Sequence, residues 1–163
     1  MTELLIADTG PLIALARVSL LPKLALLFQK VVVPEAVFNE ACADLNKPGA
    51  KAISALEQAP WFQCTTVNID AKPDIALSIL DRGEMEVIVL AQKLNCIALI
   101  DEKTGRRVAK NKGVKCIGTA AVLLKLKQEG LIDEVTPLLE ELANNGYRLS
   151  TALIKKVRAL ANE

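Results

Sequence analysis

Asp8 follows the apolar run LLIA, Glu40 lies in AVFNEA, Glu84 and Glu86 lie in RGEMEVIVLA, and Asp101 and Glu102 follow IALI, all in a chain of 163 residues with no histidine. The missing histidine removes the commonest general base, the commonest zinc ligand and the Ser-His-Asp triad together. Carboxylates around a hard divalent cation are the tools left to an enzyme of this composition. Gathered without a cation, such acids raise one another's pKa, and a bound metal reverses that penalty. Each acid has an ordinary explanation by itself. An aspartate after a strand caps a helix, an acid in a first helical turn suits the macrodipole, and Glu40 alone would be a surface glutamate. Asp8 and Asp101 stand out because each ends a short apolar run, the position beyond a strand's carboxyl end where open parallel sheets bind ligands.

Other chemistries have less support. Asp8-Thr9-Gly10 spells the triplet of aspartic proteases, but those place it in an all-β loop, whereas Pro11 and the helical PLIALARV follow here. The chain carries neither a GxxxxGK[ST] nor a GxGxxG phosphate loop. Its Ser, Thr and Cys nucleophiles have no histidine to activate them, which leaves only a lysine base. Cys42, Cys64, Cys96 and Cys116 are far apart, form no CxxC pair, and read as small buried hydrophobes in a reduced, cytoplasmic protein. The amino-terminal stretch lacks the basic start of a signal peptide, and the greasy residues 11–28 carry Arg17, Pro22 and Lys23, against a membrane span.

The elements that must position the acids follow from composition and periodicity. The chain is 52% apolar but only 3% aromatic, so its core is built from Leu, Ala, Val and Ile, as in helices packed on a buried sheet. Strands are expected at 4–8, 31–33, 62–67, 96–100 and 114–117, the third as an edge. Helices are expected from Pro11, over 20–28, 35–45, about 50–58, 74–81, 84–94, about 103–112, from Gly118-Thr119 to about 129, 133–144 and 150–161, with Asn144-Asn145-Gly146 as a turn. Strands separated by helices of this length imply crossovers and a parallel sheet. Glu84 and Glu86 fall on opposite edges of the apolar stripe of their helix, so either can look into a cleft. A net charge of +1 gives no global field for nucleic acid, but Arg106, Arg107 and Lys110 cluster directly after the Asp101 acids. The mean hydropathy of +0.31 is high for a small domain and suggests apolar surface reserved for a partner, most simply a second copy.

The segments IADTGPLIALARV, VVVPEAVFNEA, RGEMEVIVLAQKLN, LIDEKTGRRVAKNKGV and IGTAAVLLKLKQEGLI resemble, in order and spacing, the blocks of the PIN-domain superfamily, in particular a prokaryotic branch related to VapBC-type toxin nucleases. The resemblance runs from about 4 to 135, with 136–163 as a helical extension of a single domain spanning 1–163. It implies a three-layer α/β/α sandwich around a parallel sheet, and a Mg²⁺- or Mn²⁺-dependent ribonuclease. It further implies Asp8, Glu40, Glu84 and Asp101 as catalytic acids, with Asp8, Glu84, Asp101 and Glu102 as metal ligands and Glu40 as a ligand or water-orienting base. Spacing to the next strand favours Glu84 over Glu86, and the Asp101-Glu102 pair stays ambiguous. Thr9 and Thr119 match hydroxyl residues beside the site. Many members carry Asp at the third position and at the second of the pair. The longer glutamates here bear on Mg²⁺, which demands near-octahedral geometry.

On this expectation Arg106, Arg107 and Lys110 hold the phosphates of an RNA substrate, and the protein acts as a homodimer, as the toxin of a toxin–antitoxin pair with an antitoxin partner. Two rivals are a PIN-like protein that binds metal or RNA without cutting, and a phosphoacceptor module like response-regulator receivers. The latter needs a lysine after a late strand, and Lys115 instead opens one.

Overall fold

The computed structural model describes residues 3–70 and 72–163; Met1, Thr2 and Ala71, which belong to the domain expected from sequence, lie outside them. The first half of the chain runs β1 (Leu4–Ala7), α1 (Thr9–Arg17), a 3-10 turn leading into α2 (Leu24–Leu27), β2 (Lys30–Pro34), α3 (Glu35–Cys42), α4 (Ala50–Ser54) and β3 (Phe62–Thr65). The second half runs α5 (Ile75–Ser78), α6 (Arg82–Leu94), β4 (Ile97–Leu99), α7 (Lys103–Asn111), β5 (Cys116–Ile117), α8 (Thr119–Gln128), α9 (Thr136–Asn144) and α10 (Thr151–Leu160). The strands form one parallel sheet in the order β3-β2-β1-β4-β5, with helices on both faces, the three-layer α/β/α architecture expected from sequence.

The centre of the sheet is fully apolar because helices cover both its faces. Leu5, Ile6, Ala7, Val31, Val33, Ala98 and Leu99 have no solvent exposure at all. Ile6 sits level with Val32 on one side and Ala98 on the other. This order makes β1 the point where the winding reverses: β2 and β3 lie to one side, β4 and β5 to the other. A crevice opens beyond the carboxyl ends of the two strands that flank such a reversal, here β1 and β4.

Several expected boundaries shift for local reasons. The stretch 20–28 is a 3-10 turn, Leu21–Lys23, continued by a single α-helical turn, Leu24–Leu27, rather than one α-helix. Among the described residues no single helix is long and apolar enough to cross a membrane; α1 and the 21–27 segment pass only as a pair bent by 113°. The helix expected over 84–94 begins at Arg82, because Asp81 caps it. The Asp81 carboxylate accepts from the Glu84 N–H at 2.8 Å, and the Glu84 carboxylate accepts from the Asp81 N–H at 3.2 Å. This reciprocal box overrides the helix-breaking look of Arg82-Gly83. The four cysteines are unpaired, but they are half-buried rather than fully buried.

Candidate active site

Asp8 and Asp101 come together because β1 and β4 are neighbours in register. Ala7 pairs with Leu99, and the Asp8 N–H continues the ladder to the Leu99 carbonyl at 3.1 Å. Each chain then turns out of the sheet into a helix. Asp8 occupies the cap position of α1, yet its side chain caps nothing, so its carboxylate is left facing the crevice with only 8% exposure.

The other acids reach the crevice from helices. Glu40, on α3, accepts from the Thr9 hydroxyl at 3.0 Å. Gly83 lets α6 approach α3: a Cβ there would lie 3.2 Å from Val37 and 3.5 Å from Glu40 Oε2. The first turn of α6 thereby brings Glu84 and Asp81 alongside Glu40. The result is a cleft of about 560 Å³ lined by Asp8, Thr9, Gly10, Pro11, Ile13, Glu40, Asp81, Glu84, Asp101, Glu102, Lys103, Tyr147 and Arg148.

Asp101 is held more firmly than the rest. Its Oδ1 accepts from the Thr119 N–H at 2.8 Å, and its Oδ2 accepts from the Thr119 hydroxyl at 2.5 Å and from the Tyr147 hydroxyl. Gly118 makes room for this arrangement, since a Cβ at that position would lie 2.8 Å from Asp101 Oδ1 and 3.0 Å from an Arg106 guanidinium nitrogen.

The charge balance of the cleft is one-sided. The ion pairs among the described residues are Arg82–Glu86, Lys112–Asp74 and Lys127–Glu163, and none involves a cleft acid. Burial, reinforced by the charges of Glu84, Asp81 and Glu40, pushes the Asp8 carboxyl up to about 7, against a lowering hydrogen bond from the Thr9 backbone. Burial also raises Glu84, with Asp81, Glu102 and Glu40 adding to it, while the hydrogen bond from the Asp81 backbone opposes. Asp101 is raised by burial too, with the Thr119 hydrogen bonds and the nearby Arg106 guanidinium pulling it back. These groups hold protons at pH values where an ordinary carboxylate is ionised, unless a cation enters.

Among the described residues no three of these carboxylates converge on one point as a ready-made cage; their oxygens turn instead to Thr9, Asp81, Thr119 and Tyr147. The donor set nonetheless fits a hard divalent ion, being oxygen-only and anionic, with none of its acids in an ion pair among the described residues.

The structure sorts the residues singled out from sequence. Asp8, Glu40, Glu84, Asp101 and Glu102 share the cleft, with Thr9 among them, and Thr119 sits behind Asp101 with no solvent exposure. Glu86 is absent from the cleft lining: it is 4% exposed and pairs with Arg82 at 2.8 Å. Arg106 donates to the Ile100 carbonyl at 3.0 Å, which fastens the end of β4. Arg106 also lines, with Arg107 and Lys110, a separate recess of about 370 Å³ completed by Val114, Lys115 and Cys116. Among the described residues, Lys103 and Arg148 are the cations that line the cleft itself. Lys103 belongs to the basic cluster that the sequence shows after Asp101, whereas sequence reasoning passed over Arg148, Asp81 and Tyr147. Only Asp81 carried a local signal, the D-x-x-E spacing of a capping box.

A parallel α/β domain with a cluster of carboxylates at its topological switch point is the class of protein defined by this fold and cleft. A family profile described as "DUF3368: PIN domain" matches residues 4–163, and the chain belongs to the PIN-domain family. Its members are in general nucleases that use divalent metals. No curated protein matches the chain. Among solved structures, one similar chain is a PilT N-terminus domain protein, SSO1118, from the hyperthermophilic archaeon Sulfolobus solfataricus P2. It has 16% identity and a TM-score of 0.50, over 75% of this chain and 92% of that one. Another is a domain of a functionally unknown protein from Methanocaldococcus jannaschii, with 17% identity and a TM-score of 0.45, over 72% of this chain and 91% of that one.

Proposed function

We propose that the protein is a Mg²⁺- or Mn²⁺-dependent endoribonuclease that hydrolyses RNA phosphodiester bonds in the acid-lined cleft. The observation that carries this reading is the meeting of Asp8 and Asp101 at the switch point, with Glu40 and Glu84 facing the same space and, among the described residues, no cation paired to any of them. Asp8, Glu84 and Asp101 are the proposed metal ligands, with Glu102 beside them. A bound Mg²⁺ or Mn²⁺ supplies the positive charge that ionises the acids and the Lewis acidity that makes water nucleophilic near neutral pH. Glu40, which accepts from the Thr9 hydroxyl, would orient that water and accept its proton. Lys103 and Arg148 stand at the cleft where the phosphates flanking a scissile bond would lie. Arg107 and Lys110, on their separate recess, would reach only phosphates further along a bound strand.

A toxin role, with an antitoxin partner, is part of the same proposal and rests on the sequence blocks shared with VapBC-type nucleases. A homodimer is proposed as well. Ile75 and Ile79, one turn apart on α5 and its cap, are 86% and 58% exposed and would form part of the apolar contact, which light scattering across a concentration series would detect.

The test is cleavage of mixed single-stranded and structured RNA by the wild type and Asp8→Asn, with Mg²⁺, Mn²⁺ or EDTA. Metal-dependent cutting that is lost in Asp8→Asn is the expected result. Equal cutting by both proteins refutes the assignment of the site. Metal binding without cutting leaves a PIN-domain protein that binds and does not cleave.

A further inference from the structure

Tyr147 reaches the cleft from the carboxyl-terminal part of the chain, far in sequence from every acid that lines the cleft. Its position is set by how α9 ends. Gly146 takes a left-handed φ of +84°, its N–H bonds the Ala143 carbonyl at 3.1 Å, and the Tyr147 N–H bonds the Leu142 carbonyl at 2.9 Å. This pair of bonds is the Schellman terminator, which suits glycine at the left-handed position. Arg17 donates to the Asn145 carbonyl at 2.8 Å and so ties the turn to α1. Downstream, Ser150 caps α10 by accepting from the Leu153 N–H at 3.1 Å, and Val157 and Ala161 anchor α10 in the core, each 4% exposed. The turn is fixed at both ends, and Tyr147 projects from it onto Asp101.

An ionised carboxylate has roughly four acceptor sites. Asp101 gives one on Oδ1 to the Thr119 N–H, and two on Oδ2 to the hydroxyls of Thr119 and Tyr147. Acceptor capacity therefore remains on Oδ1 alone. Without the phenol, Oδ2 regains a free site, and the carboxylate is held from one side only, by Thr119.

We propose that Tyr147 is a positioning residue for the metal site: its hydroxyl saturates Oδ2 of Asp101 so that the acid offers a single oxygen, Oδ1, to a divalent cation. This inference rests on the reading of Asp101 as a metal ligand. Hydrogen-bond partners of metal ligands orient them, and losing one typically lowers metal affinity or activity by about 10–100-fold.

The test compares the full-length wild type with Tyr147→Phe, Tyr147→Leu and Asp8→Asn by Mn²⁺ titration followed by electron paramagnetic resonance. Melting temperatures in EDTA and kcat and KM on RNA are measured alongside. Tyr147→Phe keeps the ring and removes one oxygen. The expected result is Mn²⁺ affinity about 10-fold weaker, a matching fall in kcat, and unchanged KM and melting temperature. A tyrosine that merely pinned the tail would lower the melting temperature in Tyr147→Phe and leave Mn²⁺ affinity alone, which would overturn the inference. Loss of affinity in Tyr147→Leu but not in Tyr147→Phe would overturn it too, by assigning the effect to the ring. If the wild type binds Mn²⁺ and Asp8→Asn weakens it while Tyr147→Phe does not, only the role of Tyr147 fails. If the wild type binds no Mn²⁺, the metal-site reading fails with it.

Discussion

Asp8→Asn should make the metal-free protein more stable while destroying its activity, and the sign of the stability change is the informative part. The Asp8 carboxyl is pushed from an ordinary 3.8 up to about 7, first by burial and then by the charges of Glu84, Asp81 and Glu40. A group whose folded pKa is raised binds its proton more tightly in the native state. Its favourable contribution is complete below about 4 and is lost as pH rises through about 7. Above pH 7 the wild type carries a buried, unpaired negative charge. The gap between the two values, at about 1.36 kcal/mol per pH unit, corresponds to roughly 4 kcal/mol. The amide must itself find partners in the cleft, which brings the expected gain of Asp8→Asn at pH 8 to about 3 kcal/mol, or roughly 6–12 °C in melting temperature. At pH 4 the two proteins should melt together. Saturating Mg²⁺ or Mn²⁺ should raise the wild type alone, since stabilisation by a ligand follows its affinity for the native state. Thermal melts between pH 4 and 9, with EDTA and with metal, measure all of this. Asp8→Asn melting below the wild type at pH 8 in EDTA, or a difference independent of pH, would refute the claim that the cleft holds a charge awaiting a cation.

Other perturbations separate residues that the sequence presents as equivalent. Glu84→Gln should lower metal-dependent cleavage by more than about 100-fold, beyond the usual effect of losing a ligand's partner, whereas Glu86→Gln should retain cleavage because Glu86 faces Arg82 and not the cleft; initial rates at saturating metal decide between them. Gly118→Ala places a methyl group 2.8 Å from Asp101 Oδ1, and should cost about 1–3 kcal/mol together with most of the activity, as urea unfolding and cleavage assays would show. Lys103→Gln combined with Arg148→Gln should reduce the salt dependence of single-stranded RNA binding by about 1.4 in slope, near 0.7 per lost phosphate contact. Anisotropy titrations over a salt series should find a smaller change for Arg107→Gln with Lys110→Gln on short oligonucleotides.

Much of the architecture could be read because it obeys local rules. VVV at 31–33 and IALI at 97–100 have the apolar character that two covered faces demand, and the acids directly after LLIA and IALI announce which ends of their strands face a ligand. The pairing of Asp8 with Asp101 needed one further fact, that β1 and β4 are adjacent, and no local pattern contains it. The choice between Glu84 and Glu86 turned on where α6 begins. Arg82-Gly83 has the composition of a break, and the reciprocal bonds between Asp81 and Glu84 outweigh it by satisfying two amide donors at once. With the helix starting at Arg82, Glu84 falls in the first turn facing α3, and Glu86 rotates into contact with the Arg82 side chain.

The basic cluster after Asp101 shows the opposite limit. Lys103, Arg106, Arg107 and Lys110 are successive cations on one short helix, but only Lys103 lines the cleft; the other three line another recess, and Arg106 also donates to the Ile100 carbonyl. Charge density along the sequence therefore overstated what the acids would meet. The missing cation, Arg148, arrives with Tyr147 from a turn whose glycine is legible and whose destination is not. A turn signal states that the chain reverses; what it packs against is decided by Arg17 on α1 and by α10 lying on α8. The residues that sequence reasoning could not place are thus those brought to the site by contacts between distant elements. Long-range packing, more than any motif, determines how Asp101 is presented to whatever binds there.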